Sequence, residues 1–442
     1  MTTSVSSKEP GLIPPGWWRL GRPPISPAGL DVVLYSLAAL FSLGAALRSS
    51  IPLYREWGQL AVGPYLLAAG LAAIITIRDR RRPVVGLRTV LAGLVVVGTV
   101  LVPLAFEITW RFDISPQALH VQPEVVVVER AATLIVHGHD PYQAVVVDGH
   151  LHGRVAGLPA YEAFFPYLPA MAIFGAPAAL GVPRQFGDAR LWFTFSTLLA
   201  VALALWWAPA SADRRLRALQ VAVVLPWATL TMATGGDDLP IVGLLIASMV
   251  LAQRRRPGWA GVVLGVASAM KFTAWPLAAL ALFAAFDRDG RRRPLRMLAG
   301  MMAVVVPVAL AGFLAGPRRF VANVVLFPLG LSGVASPAGS ALPGHIIVSA
   351  VPSIHRIFPV VCALVGVVVL VLYLRRRPPH DAAEVCKVAG WVLLVAILLA
   401  PATRIGYLIY PLNFFVWSWM LTAPETANGL LPSGDHAPSE AW

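Results

Sequence analysis

Carboxylates and histidines gather in one stretch of the chain, about residues 107–186, between two groups of long apolar runs. The carboxylates include Glu107, Asp113, Glu124, Glu129, Asp140 and Asp148, and the histidines are His120, His137, His139, His150 and His152. A carboxylate held against a hydroxyl can act as a general base. The histidines lack the helical spacing of a zinc site, so we expect them at solvated loop positions without a metal ion.

Two isolated cations lie outside the arginine clusters of the chain. Lys271 is one of three lysines and lies in an apolar segment, where a charge costs about 2.5 to 3.5 kcal/mol on insertion scales. A phosphate ligand explains this placement, and snorkelling of the ammonium group to the membrane interface is the alternative. Arg404, close to Tyr407 and Tyr410, either grips a phosphate bidentately or anchors a helix at the interface.

Other polar candidates stand at predicted turns. Asp237 and Asp238 begin a predicted helix, where carboxylates suit the helix dipole, and they have the chemistry to bind sugar hydroxyls or a divalent cation. Asp140 precedes Pro141-Tyr142 and is interpreted as a turn former. His345 lies in a second polar stretch and is a candidate for lining the same site.

The elements that position these residues are predicted to be membrane helices. With 57% hydrophobic residues, 13% charged residues and a mean hydropathy of +0.72, the chain has too little polar surface for a water-soluble globule. Its net charge of +13 comes from arginine clusters between apolar runs, which are topology signals and not a nucleic-acid surface. The two cysteines lie in or beside apolar segments, which indicates buried thiols and not a disulfide framework.

Twelve apolar runs approach the length of about 20 residues that a bilayer span requires. They are predicted at 31–49, 60–78, 87–106, 187–208, 217–234, 239–253, 258–272, 274–286, 299–316, 356–374, 386–402 and 405–421. This threading places the arginine clusters and both termini in the cytoplasm and leaves outer loops of about 107–186 and 317–355. The predicted fold is an all-α polytopic membrane protein of roughly 11–13 transmembrane helices, whose large first outer loop carries interfacial helices.

The same threading divides the chain into three parts. Residues 1–27 are predicted to be a cytoplasmic tail and not a cleaved signal, 28–422 a single transmembrane domain, and 423–442 a disordered cytoplasmic tail. Within the first loop, Glu124 to Val136 has a helical apolar pattern. Residues 165–182 are apolar but interrupted by prolines, which predicts a re-entrant or interfacial element.

An ordered set of short motifs runs from about residue 107 to 415. In the first, Gln122-Pro123-Glu124-Val125 precedes Gly138-His139-Asp140-Pro141-Tyr142, so Glu124 and Asp140 are 140 − 124 = 16 positions apart. The others are Phe165-Pro166-Tyr167-Leu168-Pro169, Thr234-Gly235-Gly236-Asp237-Asp238-Leu239-Pro240, Ala269-Met270-Lys271, Phe327-Pro328-Leu329-Gly330-Leu331, Ser336-Pro337-Ala338, Pro343-Gly344-His345 and Arg404-Ile405-Gly406-Tyr407. As a set, they resemble glycosyltransferase family 87, an α-mannosyltransferase-like group of the GT-C class that uses polyprenyl-phosphate sugars.

The resemblance implies a GT-C-like bundle in the cytoplasmic membrane that serves the cell envelope. It implies transfer of a sugar from a polyprenyl-phosphate donor to a lipid or glycan acceptor at the outer face, with the hexose mannose favoured and the pentose arabinofuranose next. The anomeric centre would be inverted. The expected partners are membrane lipids, the lipid-linked donor and the acceptor, with no nucleic acid; no cofactor is required, and a divalent cation is an option.

The resemblance also assigns roles to residues of this chain. Glu124 is the expected general base, although family members commonly have Asp there, so Asp113 and Glu129 remain alternatives. The expected substrate-binding residues are Lys271, Arg404, Asp237, Asp238, His345, Tyr142 and Tyr407. Cations aimed at the departing phosphate would stabilise its developing charge.

Two other functional classes fit the composition. A multi-pass transporter or lipid flippase predicts ionisable residues near the membrane midplane, broken helices in corresponding places and inverted repeats, whereas the charges of this chain concentrate at one predicted face. A structural membrane protein leaves the acidic outer loop unexplained.

Overall fold

The computed structural model describes residues 26–79, 85–114, 120–288, 292–335, 337–355 and 357–422. Nearly all of the predicted cytoplasmic tails, 1–27 and 423–442, lies outside these ranges. The longer helices are Pro27–Arg48, Pro52–Asp79, Val85–Val96 with its continuations Val97–Leu101, Val102–Thr109 and Trp110–Ile114, Pro123–Val136, Ala189–Trp207, Ala212–Leu219 with Gln220–Val224, Pro226–Thr234, Asp238–Gln253, Pro257–Ser268, Trp275–Arg288, Arg292–Ala315, Pro343–Ala350, Ile357–Arg376, Ala382–Leu399 and Ile409–Leu421.

The prediction of an all-α polytopic membrane protein is confirmed. Among the described residues, seven helices are long and apolar enough to cross a membrane, or eight if the bent pair Ala212–Val224 and Pro226–Thr234 is one span. Five shorter apolar helices accompany them: Pro169–Ala179, Asp238–Gln253, Pro257–Ser268, Phe272–Ala285 and Ile405–Leu421. Each of the twelve predicted runs overlaps a described helix, while the number that cross the bilayer stays a prediction.

Glycines allow neighbouring helices to pack closely. A Cβ added to Gly265 would lie 2.7 Å from the carbonyl oxygen of Met301, and one added to Gly300 would lie 2.5 Å from that of Gly258. The helices Pro257–Ser268 and Arg292–Ala315 therefore approach each other at a distance that only glycine permits, as small residues allow in membrane bundles.

A buried network of ion pairs ties the first helix to the third at one end of the bundle. Arg88 donates to Asp31 at 2.5 Å and to Asp213 at 2.6 Å, and Arg217 also pairs with Asp31. Gln220 donates to the same Asp31 carboxylate at 2.9 Å. Because the charges are paired and hydrogen-bonded, this end is cross-linked without an uncompensated buried ion.

The first loop begins later in the chain than predicted. The third helix continues as far as Ile114, so Glu107, which was expected at the start of the loop, is instead a fully buried helical residue. The predicted helix from Glu124 is confirmed as Pro123–Val136, here called the loop helix. The proline-interrupted apolar stretch of the first loop forms short helical turns. One of these turns, Pro169–Gly175, packs against the loop helix.

The rest of the two loops consists of short elements. The strands Val145–Val147 and His150–His152 form an antiparallel hairpin, whose Asp148-Gly149 turn has positive φ at both positions, as a tight hairpin turn requires. The short helical turns of the loops are Ala160–Ala163, Pro169–Gly175, Ala176–Ala179, Arg184–Gly187, Pro317–Val321, Ala322–Leu326 and Pro352–Ile354. Two further short turns, Phe272–Ala274 and Ile405–Leu408, lie outside the loops.

Candidate active site

Glu124 lies in the first turn of the loop helix, where a carboxylate is favoured by the helix dipole. The start of this helix is fixed by Gln122, whose side chain donates to the Thr234 hydroxyl at 2.6 Å and whose backbone N–H donates to the Thr234 carbonyl at 3.3 Å. Gly235 follows with φ 104° and leaves no room for a Cβ beside the loop helix. The Thr-Gly-Gly-Asp-Asp motif therefore positions Glu124 as well as its own carboxylates.

Only one of the two oxygens of the Glu124 carboxylate is hydrogen-bonded among the described residues. Its Oε1 atom accepts from Nη1 of Arg404, which lies 280 positions later in the chain. Its Oε2 atom is buried and has no hydrogen-bond partner among the described residues. The side chain is 13% exposed and that of Arg404 is 35% exposed, so the pair borders on the surface. One oxygen is thus oriented by a guanidinium, while the lone pairs of the other accept from no donor among the described residues.

Lys271 lies between two carboxylates and two aromatic rings. Its ammonium nitrogen donates to Asp237 at 2.9 Å and to Asp238 at 2.5 Å. The same nitrogen lies 5.4 Å from the ring centroid of Tyr167 and 5.5 Å from that of Tyr407, within cation–π range. The ion pairs and rings compensate for the burial of this cation in an apolar part of the chain.

Backbone pairing holds Lys271 in place. The helix Pro257–Ser268 ends before it, and Lys271 itself is extended, with φ −149° and ψ 141°. Leu168 donates to the Met270 carbonyl at 3.0 Å, and Ala170 donates to the Ala269 carbonyl at 3.2 Å. The Phe-Pro-Tyr-Leu-Pro motif of the first loop therefore docks directly on the segment that presents the lysine.

The two charge clusters influence each other. The pKa of Asp237 is raised to about 6. Burial is the largest cause, Lys271 lowers the pKa, and the Asp238 and Glu124 carboxylates raise it. For Arg404, burial lowers the pKa, but the Glu124 carboxylate and nearby tyrosines outweigh burial and leave the pKa above its usual value. Tyr407, three residues after Arg404, contacts Lys271 and so links the clusters into one site.

The second loop, about residues 317–355, supports the Arg404 segment. Ser340 donates its backbone N–H to the Thr403 carbonyl at 3.0 Å, and its hydroxyl accepts from the backbone N–H of Ile405 at 3.0 Å. His345 lies close by, with Nδ1 2.9 Å from the Pro401 carbonyl oxygen. In this structure His345 therefore contacts the backbone that positions Arg404, and no contact joins it to Glu124.

The alternative base candidates have different surroundings. Glu129 pairs with Arg111 at 2.7 Å and accepts from the backbone N–H of Ala189 at 3.0 Å, so its two oxygens hold helix ends together. Arg111 in turn binds Asp188 at 2.7 Å. Asp113 lies in the helical segment Trp110–Ile114, and its side chain lies outside the described residues.

Tyr142 is buried within the protein. Its hydroxyl donates to the Tyr167 carbonyl at 3.0 Å, and its backbone N–H donates to Oδ1 of Asp140 at 2.8 Å. The second bond closes a side-chain turn, which confirms Asp140 as a turn former. Tyr142 thus supports the segment that carries Tyr167.

Tyr410 was not among the predicted site residues, although it lies close to Arg404 in the sequence. The Tyr410 hydroxyl donates to Asp238 at 2.8 Å and accepts from Thr273 at 2.8 Å. Tyr410 lies three positions after Tyr407, which puts both rings on one side of a helix. The three-residue spacing of the two tyrosines is a sequence signal that indicates Tyr410 as a site residue. No sequence signal indicates Thr273.

The expectation of solvated loop histidines is wrong for His120. His137, His139, His150 and His152 are exposed, but His120 is buried, with its ring 5.8 Å from that of Trp110. Its Nδ1 atom lies 3.0 Å from Glu56, a residue of the second helix. The burial comes from these two helices, which flank His120 only in three dimensions.

The chain matches the model of a known protein family. The model of glycosyltransferase family 87 matches residues 165–422, which include Asp237, Asp238, Lys271, Arg404 and Tyr407 but begin after Glu124. No curated protein and no solved structure matches the chain.

Proposed function

Because the chain belongs to glycosyltransferase family 87, we propose that this membrane glycosyltransferase moves a hexose, with mannose first, from a polyprenyl-phosphate donor to a lipid or glycan acceptor. Transfer takes place at the outer face of the cytoplasmic membrane and inverts the anomeric centre. The observation that carries the proposal is the Glu124 carboxylate, which is oriented by Arg404 through one oxygen and unbonded at the other.

Glu124 acts as the general base. Its free Oε2 atom accepts the proton of an acceptor hydroxyl as that oxygen attacks the anomeric carbon. The new carbon–oxygen bond forms on the face opposite the phosphate, the bond from the anomeric carbon to the phosphate oxygen breaks, and polyprenyl phosphate leaves with the electron pair. A positioned base of this kind contributes about 10² to 10⁴ in rate.

Arg404 and Lys271 stabilise the departing phosphate. Charge develops on the phosphate as the sugar leaves, and cations already in place favour that transition state. Arg404 is 35% exposed and retains guanidinium donors for a ligand, while Lys271 is kept charged by Asp237 and Asp238. The two aspartates also supply acceptors for sugar hydroxyls or ligands for a divalent cation.

Apolar surface beside the two cations suits the prenyl chain. Phe272 follows Lys271 directly and is 44% exposed, and Ile405 follows Arg404 directly and is 51% exposed. A donor whose phosphate lies against the cations would therefore place its first isoprene units on apolar side chains and in lipid. This arrangement supports a lipid-anchored donor over a soluble nucleotide sugar.

The proposal is tested by transfer in vesicles. Purified protein is reconstituted with radiolabelled polyprenyl-phosphate mannose and an extract of membrane glycolipids, with protein-free vesicles as the control. Label that moves into a glycolipid supports the transferase, and a parallel donor with arabinofuranose identifies the sugar. A chelator in a third set measures any dependence on divalent cations. Label that stays on the donor but crosses the bilayer would instead identify a flippase.

A further inference from the structure

Glu56, Glu107 and His120 form a second cluster of ionisable side chains, separate from the residues of the proposed reaction. One ligand atom from each lies within 4.8 Å of the others. Nδ1 of His120 is 3.0 Å from a carboxylate oxygen of Glu56 and 3.7 Å from one of Glu107. The three residues come from the start of the second helix, the end of the third helix and the approach to the loop helix.

Glu107 is the member that requires explanation. Its side chain is 0% exposed, and neither carboxylate oxygen has a hydrogen-bond partner among the described residues. The 3.7 Å separation from His120 is too long for a hydrogen bond. A buried carboxylate without donors is costly unless a proton or a cation compensates for it.

The neighbouring arginines are committed to other carboxylates. Arg190 binds Asp188 through two nitrogens at 2.9 and 2.8 Å, and Arg111 binds Asp188 and Glu129. Arg190 reaches only the backbone carbonyls of His120 and Glu107, at 2.7 and 3.5 Å. The positive charges of Arg111 and Arg190 are balanced by the carboxylates of Asp188 and Glu129. Glu56 and Glu107 therefore leave an excess of negative charge next to a histidine.

We propose that Glu56, Glu107 and His120 bind a divalent transition-metal ion, of which Zn²⁺ and Mn²⁺ are the candidates. Imidazole nitrogen combined with carboxylate oxygen favours these ions over Mg²⁺ and Ca²⁺, which prefer oxygen ligands alone. Ligand atoms about 2.0 to 2.2 Å from a tetrahedral ion lie roughly 3.3 to 3.5 Å apart, and the observed 3.0 and 3.7 Å bracket that separation. The partly exposed Glu56 side gives water access to the remaining position.

The ion would fasten the base of the loop helix to the bundle. Two positions after His120, Gln122 donates to the Tyr54 hydroxyl at 3.3 Å and to Thr234 at 2.6 Å, and the helix with Glu124 begins immediately after it. Tyr54 and Glu56 lie in the same turn of the second helix. A metal at this cluster is therefore a positioning element, which does not touch the reacting atoms and does not depend on the reaction proposed above.

Metal content is the direct test. The full chain, purified with a tag free of histidine, is dialysed against Zn²⁺, Mn²⁺, Mg²⁺ or Ca²⁺ and then desalted, and bound metal is measured by mass spectrometry. Wild-type protein is expected to retain about one Zn²⁺ or Mn²⁺ per chain. Glu107→Gln and Glu56→Gln should retain at least tenfold less, while His152→Ala, which removes an exposed histidine of the same loop, should retain the wild-type amount.

Thermal unfolding separates the metal from a shared proton. A chelator should lower the midpoint of wild-type protein, with recovery on adding back Zn²⁺ or Mn²⁺, and should leave Glu107→Gln unchanged. If a proton instead neutralises Glu107, wild-type protein holds no metal, ignores the chelator and unfolds together with Glu107→Gln. That result, or retention of Mg²⁺ or Ca²⁺ alone, overturns the proposal. Glu56→Gln alters a side chain that is 23% exposed and so remains informative if Glu107→Gln misfolds.

Discussion

Arg404 pairs with the carboxylate of Glu124 across 280 positions of sequence and leaves the second oxygen of that carboxylate without a partner. The pair joins the first turn of the loop helix to the segment that precedes the last described helix. A general base must have a fixed orientation and a free lone pair. The Arg404 contact fixes the orientation through Oε1, and Oε2 keeps its lone pairs free.

Glu124→Gln is expected to lower the rate of sugar transfer by about 10² to 10⁴, because the amide accepts no proton from the acceptor hydroxyl. Initial rates in vesicles measure the loss, and Glu124→Asp should retain activity. Asp148→Asn serves as the control, since it makes the same carboxylate-to-amide change at an exposed turn of the same loop. Full activity in Glu124→Gln together with its loss in Asp113→Asn would mean that the base is misassigned.

Arg404→Gln is expected to reduce kcat/KM for the donor about 10- to 100-fold, as loss of a hydrogen bond to a charged group costs about 1.5 to 3 kcal/mol. Arg404→Lys should recover only part of the loss, because a lysine lacks the bidentate geometry. Steady-state kinetics with varied donor give the result, and Arg154→Gln, at an exposed position, should match wild type. An effect confined to the acceptor KM would place the phosphate elsewhere.

Lys271→Met is expected to destabilise the protein by about 3 to 5 kcal/mol, because it leaves two carboxylates without their cation. Combining it with Asp237→Asn and Asp238→Asn removes the charges and should restore the unfolding midpoint. Donor binding should stay weak in the triple variant if Lys271 holds phosphate. Recovery of both stability and transfer would reduce Lys271 to a structural role.

Glu129→Gln is expected to weaken folding by about 3 to 5 kcal/mol, since Arg111 loses one of its two partners. The fraction that folds should transfer sugar at nearly the wild-type rate per molecule. Unfolding in a denaturant series, combined with activity normalised to folded protein, separates the two effects. A normalised rate as low as that of Glu124→Gln would show that Glu129 takes part in the reaction.

The pH dependence of stability should differ between wild type and Asp237→Asn. Burial raises the pKa of Asp237 to about 6 in the folded protein, above the value of about 3.9 for an unperturbed aspartate. The folded state therefore favours the proton, so this group's stability contribution is complete below pH 4 and is lost as the pH rises through 6. Wild type should gain stability relative to the variant between pH 7 and 5 in thermal melts. Parallel curves would show that Lys271 offsets the effect of burial.

Hydropathy and local pattern determined much of this protein from sequence alone. Each of the twelve apolar runs overlaps a described helix, and the loop helix at Pro123–Val136 followed from its own periodicity. The motif order identified the family, which the match over residues 165–422 confirms. These features depend on neighbours within a few turns, so a linear reading captures them.

Tertiary structure alone decided which distant charges meet. In the sequence Arg404 is an isolated cation, whereas the fold pairs it with Glu124. Lys271 likewise has no partner nearby in the sequence, but in the structure it pairs with Asp237 and Asp238. His120 was expected in solvent, yet the second and third helices bury it beside Glu56. Pairings across such separations depend on how whole helices pack, and no local periodicity encodes that packing.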